Sequence, residues 1–173
     1  MRAIFAPIYL SLGISLLFVG EAVAGTTERI DVATLNRIST VDQFGKNHRF
    51  SFPTRKPVLV TTAGQRGSRD IEPWIRPIGE SFYGKVEIVG VAQLKGVPAS
   101  LRGPLRKLFA MQSASHPVLL DWSGELCEVF PYTKSGVSVA LLDQRGTIVW
   151  QATGKANAAK LKELRQTLQA MVR

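Results

Sequence analysis

The chain has 173 residues, 45% hydrophobic and 20% charged, a balance that excludes a disordered tail, a collagen-like repeat and a polytopic membrane protein. Its single cysteine excludes an intrachain disulfide and a cysteine-rich zinc site, and with only two histidines no metal and no cofactor is expected. Lys plus Arg number 22 against 13 Asp plus Glu, a net +9 that steers anionic partners, yet the basic residues are scattered rather than interleaved with stacking aromatics, which argues against nucleic acid.

The first element is an export signal. Met1 and Arg2 give a short positive start, Ala3 to Val19 is almost wholly apolar, and Ala22-Val23-Ala24 supplies small residues for a signal peptidase. The run holds Pro7, Ser11, Gly13 and Ser15, and it is slightly shorter than the ~20 residues of a membrane-spanning helix. Cleavage after Ala24 is expected, with delivery to a periplasm or the exterior and no stable membrane span afterwards. An uncleaved anchor is the alternative. No cysteine follows the run, which excludes lipid attachment there, and a single arginine precedes it, which excludes a twin-arginine signal. Residues 25–173 then form one domain, close to ~150 residues. Arg2 and Glu21 cancel, so the mature chain keeps the charge of +9.

From Gly25 strands and helices alternate. Ile38 to Val41 and His48 to Phe52 read as a hairpin about Gly45. Pro57 to Thr62 is an apolar, β-branched run suited to a buried strand. Ile71, Trp74, Ile75, Ile78 and Phe82 share one face of a helix, for which Ser68 is the expected N-cap and in which Pro73 is expected to cause a kink. Val86 to Ala92 is a second buried strand. Pro98 to Gln112 is a helix with Leu101, Leu105, Leu108 and Phe109 on one face, expected to be interrupted near Gly103-Pro104. Pro117 to Asp121 is a third strand and Glu125 to Phe130 a short helical turn. Val137 to Asp143 and Thr147 to Ala152 pair about Gln144-Arg145-Gly146, and Asn157 caps a last helix with Leu161, Leu164, Leu168 and Met171 on its stripe. The chain is α/β, and no internal repeat or linker interrupts it.

Two segments carry a resemblance. In Val58 to Ile75, an apolar strand runs through Gln65-Arg66-Gly67-Ser68 into a helix, with Pro73 five residues after Ser68. In Gly136 to Gly146, G-V-S-V-A-L-L-D-Q-R-G is followed by Gly154 and the closing helix. From Val41 to Val172 the sequence resembles the thioredoxin-like superfamily, in its redoxin branch of peroxiredoxins and exported thiol-disulfide proteins. The resemblance implies a central mixed β-sheet flanked by helices, preceded here by an N-terminal β-hairpin. It places Gln65, Arg66, Gly67 and Ser68 where the family has C-x-x-C, and Ser138 where it has its cis proline.

Both thiols of that motif are therefore absent. Disulfide exchange needs a thiolate and a second thiol to resolve the mixed disulfide, and neither Gln65 nor Ser68 supplies one. The remaining thiol, Cys127, lies between Glu125 and Glu128, where negative charge raises its pKa. It reads as a packing residue; its alternative role is the thiol of a one-cysteine, alkyl hydroperoxide reductase-like peroxidase or oxidoreductase. His48 and His116 lack metal-ligand spacing.

The surviving candidate site is the Gly64-to-Arg69 loop, Gly-rich and doubly basic through Arg66 and Arg69, feeding a helix N-terminus that favours anions. Lys95, Arg102, Arg106 and Lys107 form a second basic surface, a solvated helix face by default and otherwise a contact for anionic lipid or protein. The expected function is that of an exported thioredoxin-like binding, scaffold or assembly protein without the dithiol site. Its expected partner is a protein or an anionic surface in the periplasm.

Overall fold

The computed structural model describes residues 30–112 and 116–172; the expected export signal lies outside them. Asp31 opens the described chain by capping a single turn that the sequence reading did not anticipate, α1 (Val32–Leu35). Its carboxylate accepts the Thr34 N–H at 3.0 Å. The expected hairpin follows as β1 (Ser39–Val41) and β2 (Asn47–Arg49), with Thr40 opposite His48. Asp42 builds its turn: Oδ1 accepts from Phe44 N at 2.8 Å and Lys46 N at 2.9 Å, and Oδ2 meets His48 Nε2 at 2.7 Å.

Strands β3 (Val58–Ala63), β4 (Glu87–Gln93), β5 (Val118–Asp121), β6 (Val137–Leu142) and β7 (Ile148–Thr153) make one mixed sheet among the described residues, ordered β5-β4-β3-β6-β7. The parallel pairs β3–β4 and β4–β5 are bridged by α2 (Glu72–Ser81) and α3 (Ala99–Gln112). β6 runs antiparallel to β3, and β7 to β6. A short α4 (Glu125–Val129) follows β5, and α5 (Ala158–Met171) closes the fold, with Asn157 Oδ1 accepting Lys160 N at 2.9 Å.

Every residue of β3 and β6 is buried, as continuous apolar runs require of central strands. Strand alternation sends Val58, Val60, Ala140 and Leu142 to one face, with Leu35, Leu126 and Phe130. It sends Leu59, Val139 and Leu141 to the other, with Trp74, Ile78, Leu164 and Leu168 of α2 and α5. The helix stripes seen in the sequence at Trp74-Ile75-Ile78 and Leu164-Leu168 are thus the two that cover the sheet.

Three local expectations are corrected. Ser68 does not cap α2: it begins a 3₁₀ turn, Ser68–Asp70, and its Oγ donates back to Gln65 O at 3.0 Å. The helix starts only at Glu72, with no side-chain cap. Pro73 therefore sits in the first turn, where its missing N–H has no helical partner to lose, which removes the reason for a kink there; the interior proline is Pro77. Helix α3 continues unbroken through Gly103 and Pro104, because the Ser100 carbonyl that Pro104 cannot serve belongs to an exposed residue. Its apolar row is covered only in part: Phe109 packs inward and Leu105 is half-buried, while Leu101 and Leu108 are exposed.

Candidate functional site

The loop between β3 and α2 is held by glycine. Gly67 is buried between the exposed residues Arg66 and Ser68. A Cβ at position 67 would overlap the carbonyl of Gly136 and stand 2.9 Å from Val137 N. Gly136, just before β6, in turn packs beside Gly154, whose N–H donates to Val137 O at 2.8 Å and whose carbonyl accepts from Trp74 Nε1 at 3.0 Å. The loop, the start of β6, the end of β7 and α2 thus meet at one end of the sheet.

The loop's side chains point outward. Gln65, Arg66, Ser68 and Arg69 are exposed, and neither arginine makes an ion pair among the described residues. The backbone is less open than the sequence implied. Gly67 N donates to Gly64 O at 3.1 Å and Asp70 N to Gly67 O at 3.0 Å, and Asp70 and Glu72 stand between Arg69 and the body of α2. Any anion held here would be held by the two guanidinium groups rather than by the α2 terminus.

Ser138 lies one residue past the Gly67 contact, inside β6 and opposite Thr62. It is 1% exposed, and its hydroxyl has no partner among the described residues. Thr62 Oγ1 donates to Pro131 O, and the Tyr132 hydroxyl is 3.0 Å from where a Gly64 Cβ would be. Neither Tyr132 nor Gly136 was singled out as a site residue from the sequence; Gly136 carried a signal in the G-V-S-V match, Tyr132 none. Ser138 and Tyr132 also line a cleft of roughly 1080 Å³ between α1, α4 and β7, bordered by Asp31, Glu125 and Glu128.

Cys127 is half-buried on α4 against the first core cluster. Burial pushes its thiol far above the ordinary range, and the charge of Asp121 together with a hydrogen bond to it pushes it further. The sequence pointed to Glu125 and Glu128, but the anion that acts is Asp121. Itself buried, Asp121 accepts from Gly124 N at 2.9 Å and Cys127 N at 3.0 Å. The D-x-x-G spacing of Asp121 and Gly124 was the available signal for this turn. Burial raises the Tyr132 phenol, with a smaller contribution from Cys127.

His48 lies on β2 and reaches the hairpin turn through Asp42. His116 is held elsewhere: its carbonyl accepts from Gln43 Nε2 at 3.0 Å, and burial lowers its ring pKa against an opposing pull from Glu72. No group of three His, Cys, Asp or Glu side chains is placed to hold a metal ion among the described residues.

No family model matches the chain, and no curated protein matches it. Solved structures do. The exposed lipoprotein thioredoxin Etrx1 of Streptococcus pneumoniae is similar with a TM-score of 0.61 at 19% identity, over 77% of this chain and 98% of that one. Peroxiredoxin Q of Xanthomonas campestris gives 0.60 at 14%, over 84% and 98%. A putative thiol:disulfide interchange protein DsbE of Chlorobium tepidum gives 0.60 at 18%, over 86% and 100%. The fold is that of a thioredoxin-like redoxin. With Cys127 as the sole cysteine, this thioredoxin-like chain has no C-x-x-C and no dithiol site.

Proposed function

We propose that this chain is an exported thioredoxin-like domain that binds a partner and performs no thiol chemistry. The observation that supports the reading is the β3–α2 loop, which carries Gln65 and Ser68 and no thiol, while its backbone is locked to Gly136 through Gly67. The shape of the site is kept without its reactive groups. Arg66 and Arg69, exposed and without ion pairs among the described residues, make the loop a docking surface for an anionic or acidic partner. Export is supported by the charged start, the apolar run and Ala22-Val23-Ala24.

The competing reading, a one-cysteine peroxidase acting through Cys127, needs a populated thiolate. Burial and Asp121 both oppose one. Affinity capture from a periplasmic extract tests the proposal. Wild-type protein should retain an acidic partner that salt releases, because exposed contacts are screened within ~8 Å at physiological ionic strength. The Arg66→Glu, Arg69→Glu double variant should retain none; equal capture by that variant contradicts the docking site.

A further inference from the structure

Helix α3 is attached to the domain along one side only. Phe109 packs with Ala92, Val118 and Leu120, and the Arg102 guanidinium lies 5.2 Å from the centroid of the Trp122 ring. Arg106 reaches the hairpin tip, its Nη1 standing 3.4 Å from where a Gly45 Cβ would be. The far side is apolar and bare. Leu101 is 51% exposed, Leu108 46% and Met111 83%, and none of the 14 residues of α3 is buried. Leu101 and Leu108 are two turns apart in line, with Met111 about one turn further on. A row of large apolar side chains left in water is the informative kind of exposure.

The charge of this region is one-sided as well. Between Glu87 and Asp121 the sequence contains no Asp or Glu, but it contains Lys95, Arg102, Arg106 and Lys107. Lys95 pairs with Glu128 at 3.3 Å, whereas the three cations of α3 make no ion pair among the described residues. On the helical wheel Lys107 borders the apolar row beside Met111, and Arg102 lies about 100° from Leu101, beyond Leu105 and Phe109, where the helix meets the domain.

We propose that α3 docks this protein peripherally on an anionic lipid surface. Leu101, Leu108 and Met111 enter the headgroup region, while Lys107 beside them, and Arg102 from the edge where the helix meets the domain, reach lipid phosphates. An exposed apolar row edged by a long cation, on a helix with no acidic residue, is the pattern of a helix lying in the interface plane, where long basic side chains keep their charge at headgroup level. No described helix is long and apolar enough to cross a membrane, so this contact is superficial. Two-fold pairing with a second copy would bring together two helices that carry cations and no acidic residue. No residue of α3 lines the cleft beside α4. An anionic lipid surface supplies phosphates and acyl chains together.

Methionine oxidation tests this locally, whatever residues 1–24 do. The protein, in the N-terminal form the cell makes, is exposed to dilute hydrogen peroxide alone, with phosphatidylcholine vesicles, or with phosphatidylglycerol–phosphatidylethanolamine vesicles. Met111 and Met171 are then followed by mass spectrometry. The anionic vesicles should slow Met111 oxidation at least fivefold or so, the worth of a single lipid-facing cation, with Met171 unchanged. Zwitterionic vesicles should do nothing, and high salt should abolish the effect. An Arg102→Gln, Arg106→Gln, Lys107→Gln variant, its fold checked by circular dichroism, should lose the protection. An unchanged Met111 rate on anionic vesicles overturns the proposal, as does equal protection by the neutral ones or protection that survives in the triple variant. Protection by an acidic protein where anionic vesicles give none would replace lipid with a protein partner.

Discussion

Gly67 and Gly136 meet backbone to backbone. The φ of Gly67 is −86°, which any residue adopts, so glycine is required there by the space against Gly136 and Val137 and not by the backbone angle. That contact holds the β3–α2 loop against the start of β6 although the loop carries no thiol to position.

Gly67→Ala must displace either the loop or the segment before β6. Overpacking of this kind costs about 1–3 kcal/mol. Urea unfolding should give a lower midpoint with an unchanged slope; an unchanged midpoint would mean that the two backbones are not in contact.

Cys127 should be a slow thiol. Its pKa is raised by burial and then by Asp121, so little thiolate exists near neutral pH. Reaction with a disulfide reagent at pH 8 should run at least about tenfold slower than for an unperturbed cysteine, one factor of ten per unit of pKa. It should reach the unperturbed rate in urea. Native labelling as fast as in urea would restore Cys127 as a candidate nucleophile.

Stability should decline in two windows on acidification. Burial lowers the His116 pKa in the fold, so protonation is easier in the unfolded chain, and stability present above about pH 6.5 begins to fall below it. For Asp42, burial pushes the carboxyl up, but hydrogen bonds from Lys46 N, His48 and Phe44 N outweigh it, and the net shift is downward. A lowered carboxylate pKa gives stability that is full above the unfolded value near 3.9 and is lost as pH falls through the folded value. Unfolding midpoints from pH 8 to pH 2 check both. Asp42→Asn should flatten the lower window and His116→Gln the upper; an unaltered profile in either variant contradicts the assignment.

Much of the architecture was legible because strong local signals agreed with the tertiary fold. The run Val58 to Thr62 became a buried central strand, Asn157 capped the last helix, and Gly146 with a φ of +85° made the β6–β7 turn. What escaped were features that depend on partners distant in sequence. Ser68 looked like a cap because caps are recognised by residue type, yet the 3₁₀ turn after Gly67 delays α2 to Glu72. Leu101 and Leu108 had the spacing of a core face, and periodicity cannot say whether anything lies opposite. Gln65 to Ser68 lie between β3 and α2, where the strand and helix signals put them, whereas the neighbour that fixes the loop, Gly136, is about seventy residues away and follows from no local rule.

Export makes a separate prediction. Protein purified from the cell should begin at Gly25, as N-terminal sequencing would find. Met1 recovered in a membrane fraction would support a retained anchor.

We propose that this thioredoxin-like fold carries out no dithiol exchange. The β3–α2 loop carries Gln65 and Ser68 and no thiol, and the lone Cys127 has no second cysteine in the chain to resolve a mixed disulfide. Reduction of insulin by dithiothreitol tests this most directly. No acceleration over the reductant alone is expected. Clear acceleration that disappears in Cys127→Ser would contradict it and make this chain a one-cysteine oxidoreductase.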